Sequence, residues 1–459
     1  MRQHTSSGLR NMTEGSPAGH IFAFALPLLA GSFLQQLYNM VDSWVVGNYV
    51  GDGALAAVGV GFPVVFMLTS LFMGISNGGT VVVSQFYGAG KEDRAKDAVD
   101  TLYTAFIVGA VPVTILAVVL VNPLLTLLRV DPTARQEAYV YLTTLSAGLI
   151  GTIGYNLNAG ILAGLGNSRS TLLFLVISSV LNIVLDILFV AGFSMGVFGA
   201  ALATILSQLV SWIFGIFYIN RRYPFFSIHP FSRRFDKTLF RQIFGIGLPS
   251  GIQMSMVALG SMAMMGCVNV YGKEYTAGYN IGNRIDQMAF LPIQSLCNAV
   301  TTFVGQNVGA QKMDRVRRGI RVTVIASIVW SALCILIIPV SPQIIALFSR
   351  TPRVVEAGRI YVRCVMPFYA VFSVMFCLNN AMRGAGDSLF AMVDTVLSMI
   401  ILRVPLVFLL SAKLGAEYMF YGVGIGWIAG AALSIGYYLS GRWKRFGSLA
   451  EEKKKEKKA

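Results

Sequence analysis

Asp42 stands in the run LPLLAGSFLQQLYNMVDSWVVG, where most neighbours are apolar. A carboxylate within a hydrocarbon layer is costly, and by default it marks a functional site. Gln35, Tyr38, Asn39 and Asp42 follow at i, i+3, i+4 and i+7 and so share one helical face. In the later run SSVLNIVLDILFV, Asn182 and Asp186 are four apart and share a face, and Thr204 in the next run adds a third oxygen group. Asn156 and Asn158, in IGYNLNAG, point to opposite sides of a helix, so at most one of them faces the same cavity directly. Two carboxyls brought together in a low dielectric cannot both be ionised cheaply. A proton or a small hard cation relieves that cost, and Asp, Asn and Thr offer the oxygen ligands that a hard cation such as sodium takes. The competing reading is a hydrogen-bonded cluster that only holds helices together. Asp286, beside Arg284, and Asp394 are expected in ion pairs or at a membrane interface.

The elements that must position these residues follow from composition. The chain is 55% hydrophobic and 12% charged, against about 25% charged in soluble domains, so it is an all-α integral membrane protein. Apolar runs of spanning length are expected near 20–46, 57–85, 97–122, 135–163, 170–192, 196–220, 242–268, 279–306, 316–341, 356–382, 388–411 and 418–441. The first run begins only after the polar stretch MRQHTSSGLRNMTEGSPAGH, so it is expected to be a retained span rather than a cleaved leader. Most of the 36 Lys and Arg fall in segments on one side of this topology: Lys91, Arg94 and Lys96, the stretch from Arg221 to Arg241, Lys312 to Arg321, and the end from Arg442 onward. The positive-inside rule then puts both termini in the cytoplasm. This bias accounts for the formal charge of +15, and no nucleic-acid partner is expected.

The chain also repeats. SQFYGAGKEDRAKDAV (84–99) resembles GQNVGAQKMDRVRRGI (305–320), ILAGLGNS (161–168) resembles AMRGAGDS (381–388), and Leu26-Pro27 matches Leu248-Pro249, in order and at nearly one offset. The expected organisation is two parallel six-helix bundles related by a pseudo-two-fold axis along the membrane normal, as in transporters that rock between two faces. Residues 1–220 form the first bundle, 221–241 a basic cytoplasmic linker, 242–441 the second bundle and 442–459 a charged cytoplasmic tail. Positions 42, 182 and 186 map to Met264, Leu402 and Leu406, so the polar set belongs to the first half alone. Pro27 lacks a backbone N–H and weakens its helix locally, which makes it a candidate hinge.

Catalytic and nucleotide motifs are missing: there is no GxxxxGK[ST], HExxH or GxSxG. Five cysteines in apolar runs and three scattered histidines form no metal pattern. No enzymatic activity, organic cofactor or metal centre is expected, apart from a sodium ion at Asp42, Asn182, Asp186 and Thr204. An ion gradient is the expected energy source.

The stretch from Leu26 to Gly59, GAGKEDRA after span 2 and LAGLGNSRST after span 4 resemble the multidrug and toxic compound extrusion (MATE) family, in its DinF- and MepA-like bacterial branch. The resemblance covers nearly the whole chain. It implies an antiporter that exports organic cations and amphipathic drugs in exchange for H+ or Na+ by alternating access, from the inner membrane. It implies a cation site at Asp42, Asn182, Asp186 and Thr204, a bending helix at Pro27, and cavity-lining roles for Gln35 and the span 4 asparagines. The NorM-like acids of spans 7 and 10 have no counterpart here, which argues against a second-half sodium site of that kind. The expected partners are small amphipathic or cationic molecules and membrane lipids, and the expected state is a monomer. The alternatives are a lipid-linked saccharide flippase of the same superfamily and a membrane protein that transports nothing.

Overall fold

The computed structural model describes residues 8–127, 132–230 and 234–446, all helix and connecting loop. Residues 231–233 of the basic linker and 447–459 of the charged tail lie outside the described residues. In chain order the helices of the first half are α1 (Pro17–Tyr49), α2 (Asp52–Gly88), α3 (Glu92–Leu127), α4 (Pro132–Ala147), α5 (Leu149–Gly164), α6 (Ser168–Asp186) and α7 (Gly196–Arg222). Those of the second half are α8 (Lys237–Asn269), α9 (Lys273–Gly309), α10 (Met313–Ile335), α11 (Ile337–Ala346), α12 (Pro352–Val365), α13 (Tyr369–Ala385), α14 (Ser388–Val396), α15 (Arg403–Leu414) and α16 (Tyr421–Ser440). Two π-helical turns, Ile187–Gly192 and Leu397–Leu402, continue α6 and α14.

Ten described stretches are long and apolar enough to cross a membrane. With α2, and with the α4–α5 pair that breaks at Gly148, the twelve expected spans are accounted for. Large apolar side chains such as Val108, Ile115 and Val119 on α3 and Phe217 on α7 are exposed, as lipid contact requires.

The chain forms two compact units. The first holds the segment ending at Asn11 together with Leu26–Gly251; the second holds Met12–Ala25 and the residues from Ile252 onward. Helices α1 and α8 each pass from one unit to the other within two residues of their internal prolines, Pro27 and Pro249. A helix is least constrained where a proline removes an intrahelical hydrogen bond.

The sequence repeats have a structural meaning within each unit. Asn167 and Asp387 are N-caps: their side chains accept from Ser170 N at 3.0 Å and Phe390 N at 3.3 Å, starting α6 and α14. The glycines before them, Gly166 at φ +80° and Gly386 at φ +103°, turn the chain through the left-handed region. The repeated arginines also correspond. Arg94 holds the segment that leads into α8, donating to Asp236 Oδ2 at 3.1 Å. Arg315 holds the segment that leads into α1, donating to the carbonyls of Met12, Glu14 and Gly15 at 2.9, 3.0 and 2.7 Å. Met12 N also donates to Gln306 Oε1 at 2.8 Å and Lys312 Nζ to Thr13 O at 3.0 Å.

Close backbone crossing fixes the start of α8 in the first unit. Gly74 and Gly78 on α2 meet Gly247 and Gly251 on α8, and a Cβ at any of the four would collide with backbone of the facing helix. Both pairs are spaced GxxxG, the spacing that lets membrane helices approach most closely.

Candidate functional site

Within the first unit, α1, α6 and α7 bring the predicted polar residues together. Asp186 closes α6 and is wholly buried; Asn182, one turn earlier, is 1% exposed. Asn182 Nδ2 donates to Thr204 Oγ1 on α7 at 3.4 Å, and that hydroxyl donates to Ala200 O at 3.1 Å. Asp42, half-buried on α1, lies within hydrogen-bonding reach of Asp186. Neither carboxyl brings a proton of its own when ionised, so the two can bond only by sharing one. Among the described residues no donor reaches either oxygen of Asp186, nor Oδ1 of Asp42, nor Oδ1 of Asn182. Four enclosed oxygens therefore face the same α1–α6–α7 junction. On the same elements Val45, Val46, Ala54, Tyr141, Val190, Val197, Ala200 and Ala201 form a buried, mostly apolar cluster. Such a group of oxygens in a low dielectric attracts whatever small positive charge can reach it.

Tyr38 sits beside both carboxyls, as its place on the Asp42 face predicts. Two further tyrosines, from α4 and α5, join it. Tyr141 on α4 is near Asp42, Asp186 and Tyr38, and Tyr155 on α5 is near Tyr38. The available signal was that Tyr155 precedes Asn156 and that Tyr141 is a polar-tipped residue within an apolar span.

The remaining predicted residues are placed differently. Gln35 is exposed and Asn39 half-buried, both on α1. Asn156 turns its amide back to Thr152 O at 2.8 Å, while its own carbonyl accepts from Ser76 at 2.9 Å. Asn158 is fully buried: its Nδ2 donates to Trp212 O at 2.9 Å and its Oδ1 accepts from the Tyr103 hydroxyl. Its polar atoms thus serve α3–α5–α7 packing.

In the second unit the counterparts are apolar, and Met264 lies 3.1 Å from Arg403 Nε. Of the two expected settings, an ion pair or a membrane interface, neither Asp286 nor Asp394 shows an ion pair with a described residue. Asp286 accepts from the hydroxyls of Tyr361, at 3.1 Å, and Tyr369. Asp394 accepts from Asn379 and Ser434.

A family model described as MatE matches residues 27–188 and 249–409, one stretch in each half. Among curated proteins, the chain is 32% identical to "Probable multidrug resistance protein YpnP" of Bacillus subtilis, over 96% of this chain and 99% of that protein. It is 24% identical to "Multidrug export protein MepA" of Staphylococcus saprophyticus, over 85% and 87% of the two. Among solved structures, "Outward-facing conformation of a multidrug resistance MATE family transporter of the MOP superfamily" superposes with a TM-score of 0.88 at 23% identity, covering 95% of this chain and 98% of that one. A MOP superfamily transporter from Pyrococcus furiosus, titled for the reverse polarity of its binding pocket, gives 0.89 at 22% identity, covering 96% and 99%.

Proposed function

Because the chain belongs to the MatE family, we propose that it is a secondary antiporter that exports amphipathic organic cations in exchange for H+ or Na+. The observation that carries this reading is the Asp42–Asp186 pair beside Asn182 and Thr204, in which no donor among the described residues reaches Asp42 Oδ1 or either oxygen of Asp186. One proton or one sodium ion on the pair removes the like-charge cost. A cationic cargo approaching the same acidic surroundings competes for that role, so loading one ion favours release of the other. The relatives' names, which speak of multidrug resistance and multidrug export, support the cargo class. Cation entry down a potential supplies about 2.3 kcal/mol per charge per 100 mV, roughly a fiftyfold concentration ratio.

The protein works in the inner membrane as a monomer, with both termini in the cytoplasm, and it needs no enzymatic step or cofactor. Alternating access involves bending of α1 at Pro27. Gln35, Tyr38, Asn39 and Asn156 line the path of the cargo.

The test is ethidium transport in proteoliposomes, driven first by a proton gradient alone and then by a sodium gradient alone, in wild type and Asp42→Asn. One gradient should drive the wild-type protein, and the folded variant should lose most of that transport. Transport by Asp42→Asn equal to wild type would overturn the assignment of the pair.

A further inference from the structure

Asp394, in α14, is a further buried carboxyl within a span, and the proposed antiport gives it no role. It is 1% exposed, and its neighbours Asn379 and Ser434 are 1% and 0% exposed. Asn379 Nδ2 donates to Asp394 Oδ2 at 2.7 Å, and Ser434 Oγ lies 2.9 Å from the same oxygen. The Ser434 hydroxyl is also 3.1 Å from Asn379 Oδ1, so its single proton can serve only one of them at a time. Asp394 Oδ1 is enclosed, and among the described residues no donor reaches it.

The charged and titratable groups of the packed elements turn elsewhere. On α13, Arg383 donates to Gln253 and Asn380, Tyr369 to Asp286, and Cys377 faces Cys297. On α16, Tyr437 donates to Asp387. At the start of α15, Arg403 lies against Met264. From α8, the neutral Gln253 donates to Thr395. Among the described residues, Asp394 is thus held by neutral donors on one oxygen and by none on the other.

The backbone beside it is irregular. Ser398, in the π-helical turn Leu397–Leu402, donates to the carbonyl of Asp394 at 2.7 Å. In the first unit, α6 ends on Asp186 and passes into the turn Ile187–Gly192. Such π turns occur frequently at functional sites. The two acids are not repeat equivalents: by the 168/388 match Asp394 aligns with Phe174.

We propose that Asp394, with Asn379 and Ser434, is a second proton-binding site, built into the second unit and separate from the Asp42–Asp186 pair. Ionised, the group leaves Oδ1 bare in an apolar interior, the costly form. A proton added to Oδ1 neutralises it while Oδ2 keeps its donors. Sodium is the poorer occupant, because Asn379 Nδ2 already engages Oδ2, and the two oxygens that Ser434 leaves free at any one time are too few for a hard cation. The site stands whether or not the first pair couples transport.

Infrared difference spectra of the full-length protein in lipid nanodiscs, recorded over a pH ramp, read the protonated-carboxyl C=O band directly. The measurement is made in the Asp42→Asn/Asp186→Asn protein, which removes the first pair. Adding Asp394→Asn should subtract a titrating band from those that remain. Ser434→Ala keeps the carboxyl but removes a donor to its ionised form, and should displace that band's midpoint upward by roughly one pH unit or more. Identical spectra with and without Asp394→Asn overturn the proposal, as does a band that answers to sodium at constant pH. If Asp394→Asn does not fold, an unmoved midpoint in Ser434→Ala overturns it.

Discussion

At the residue scale, the two kinds of buried polar group part company on mutation. Asn158→Ala leaves the Tyr103 O–H without its acceptor inside the first unit and takes away the extra donor to the Trp212 carbonyl. Each unsatisfied buried group costs about 1–3 kcal/mol, so this variant should lose thermal stability in detergent, with cargo affinity unchanged in the fraction that folds. Thr204→Ala should do the reverse. Its bond to Asn182 is long, 3.4 Å, and little stability rests on it, but a charge-assisted oxygen contact is worth about 1.5–3 kcal/mol. The apparent affinity for the driving ion should fall roughly tenfold or more, and Thr204→Ser, which restores the oxygen, should recover it. Equal behaviour of the Ala and Ser variants in a gradient-titrated transport assay would remove Thr204 from the site. The polar quartet was legible because polar residues on apolar helices are few and their spacing declares a face. Asn158 was less legible for the same reason: spacing shows which way a side chain points, not whether a partner such as Tyr103, 55 residues away, waits there.

At the scale of elements, the crossing of α2 and α8 is the sharpest constraint. Gly78→Ala places a methyl against the Ile243 carbonyl and Gly247. Backbone cannot yield as a side chain can, so overpacking of about 1–3 kcal/mol is expected, read as a lower melting temperature of the purified protein. The entry to α8 offers a pH-dependent counterpart outside the span. Partial burial pushes the Asp236 carboxyl up, but the N–H groups of Leu239 and Thr238 and the Arg94 guanidinium outweigh it and hold the group below its ordinary value. A depressed carboxyl stabilises the fold above its unfolded value, about pH 4, and that contribution disappears as pH falls through the folded value. Asp236→Ala should therefore cost about 1 kcal/mol at pH 7, the usual worth of an N-cap, and less in strong acid. Any change in transport between pH 5 and 8 belongs to other groups. The repeat of GAGKEDR in GAQKMDR was visible in the sequence, and the use of its arginine was not. Arg94 reaches a residue 142 positions away, and Arg315 reaches main-chain carbonyls near 300 positions away, which carry no side-chain signature.

At the scale of the whole molecule, the twelve spans were readable because hydropathy and length suffice to mark a membrane helix. The breaks within them were not, since Gly148 and the two π turns leave composition unchanged. Orientation can be tested on the native background, because all five cysteines are buried. In intact cells, Lys413→Cys should react with an impermeant maleimide and Lys91→Cys only after lysis. The opposite pattern would invert the topology.

The hydrogen bond between Met12 and Gln306 spans 294 residues, and that between Arg315 and Met12 spans 303. This has a consequence for biosynthesis. The segment that leads into α1 leaves the ribosome first, yet its partners are made only after two-thirds of the chain. At about 5–20 residues per second it waits roughly 15–60 s, with α1 already at the translocon. Newly made protein thus passes through a stage in which the first unit is complete and its leading segment is still without a seat. A nascent chain halted before residue 306 should expose that segment to proteases that spare it in the finished molecule.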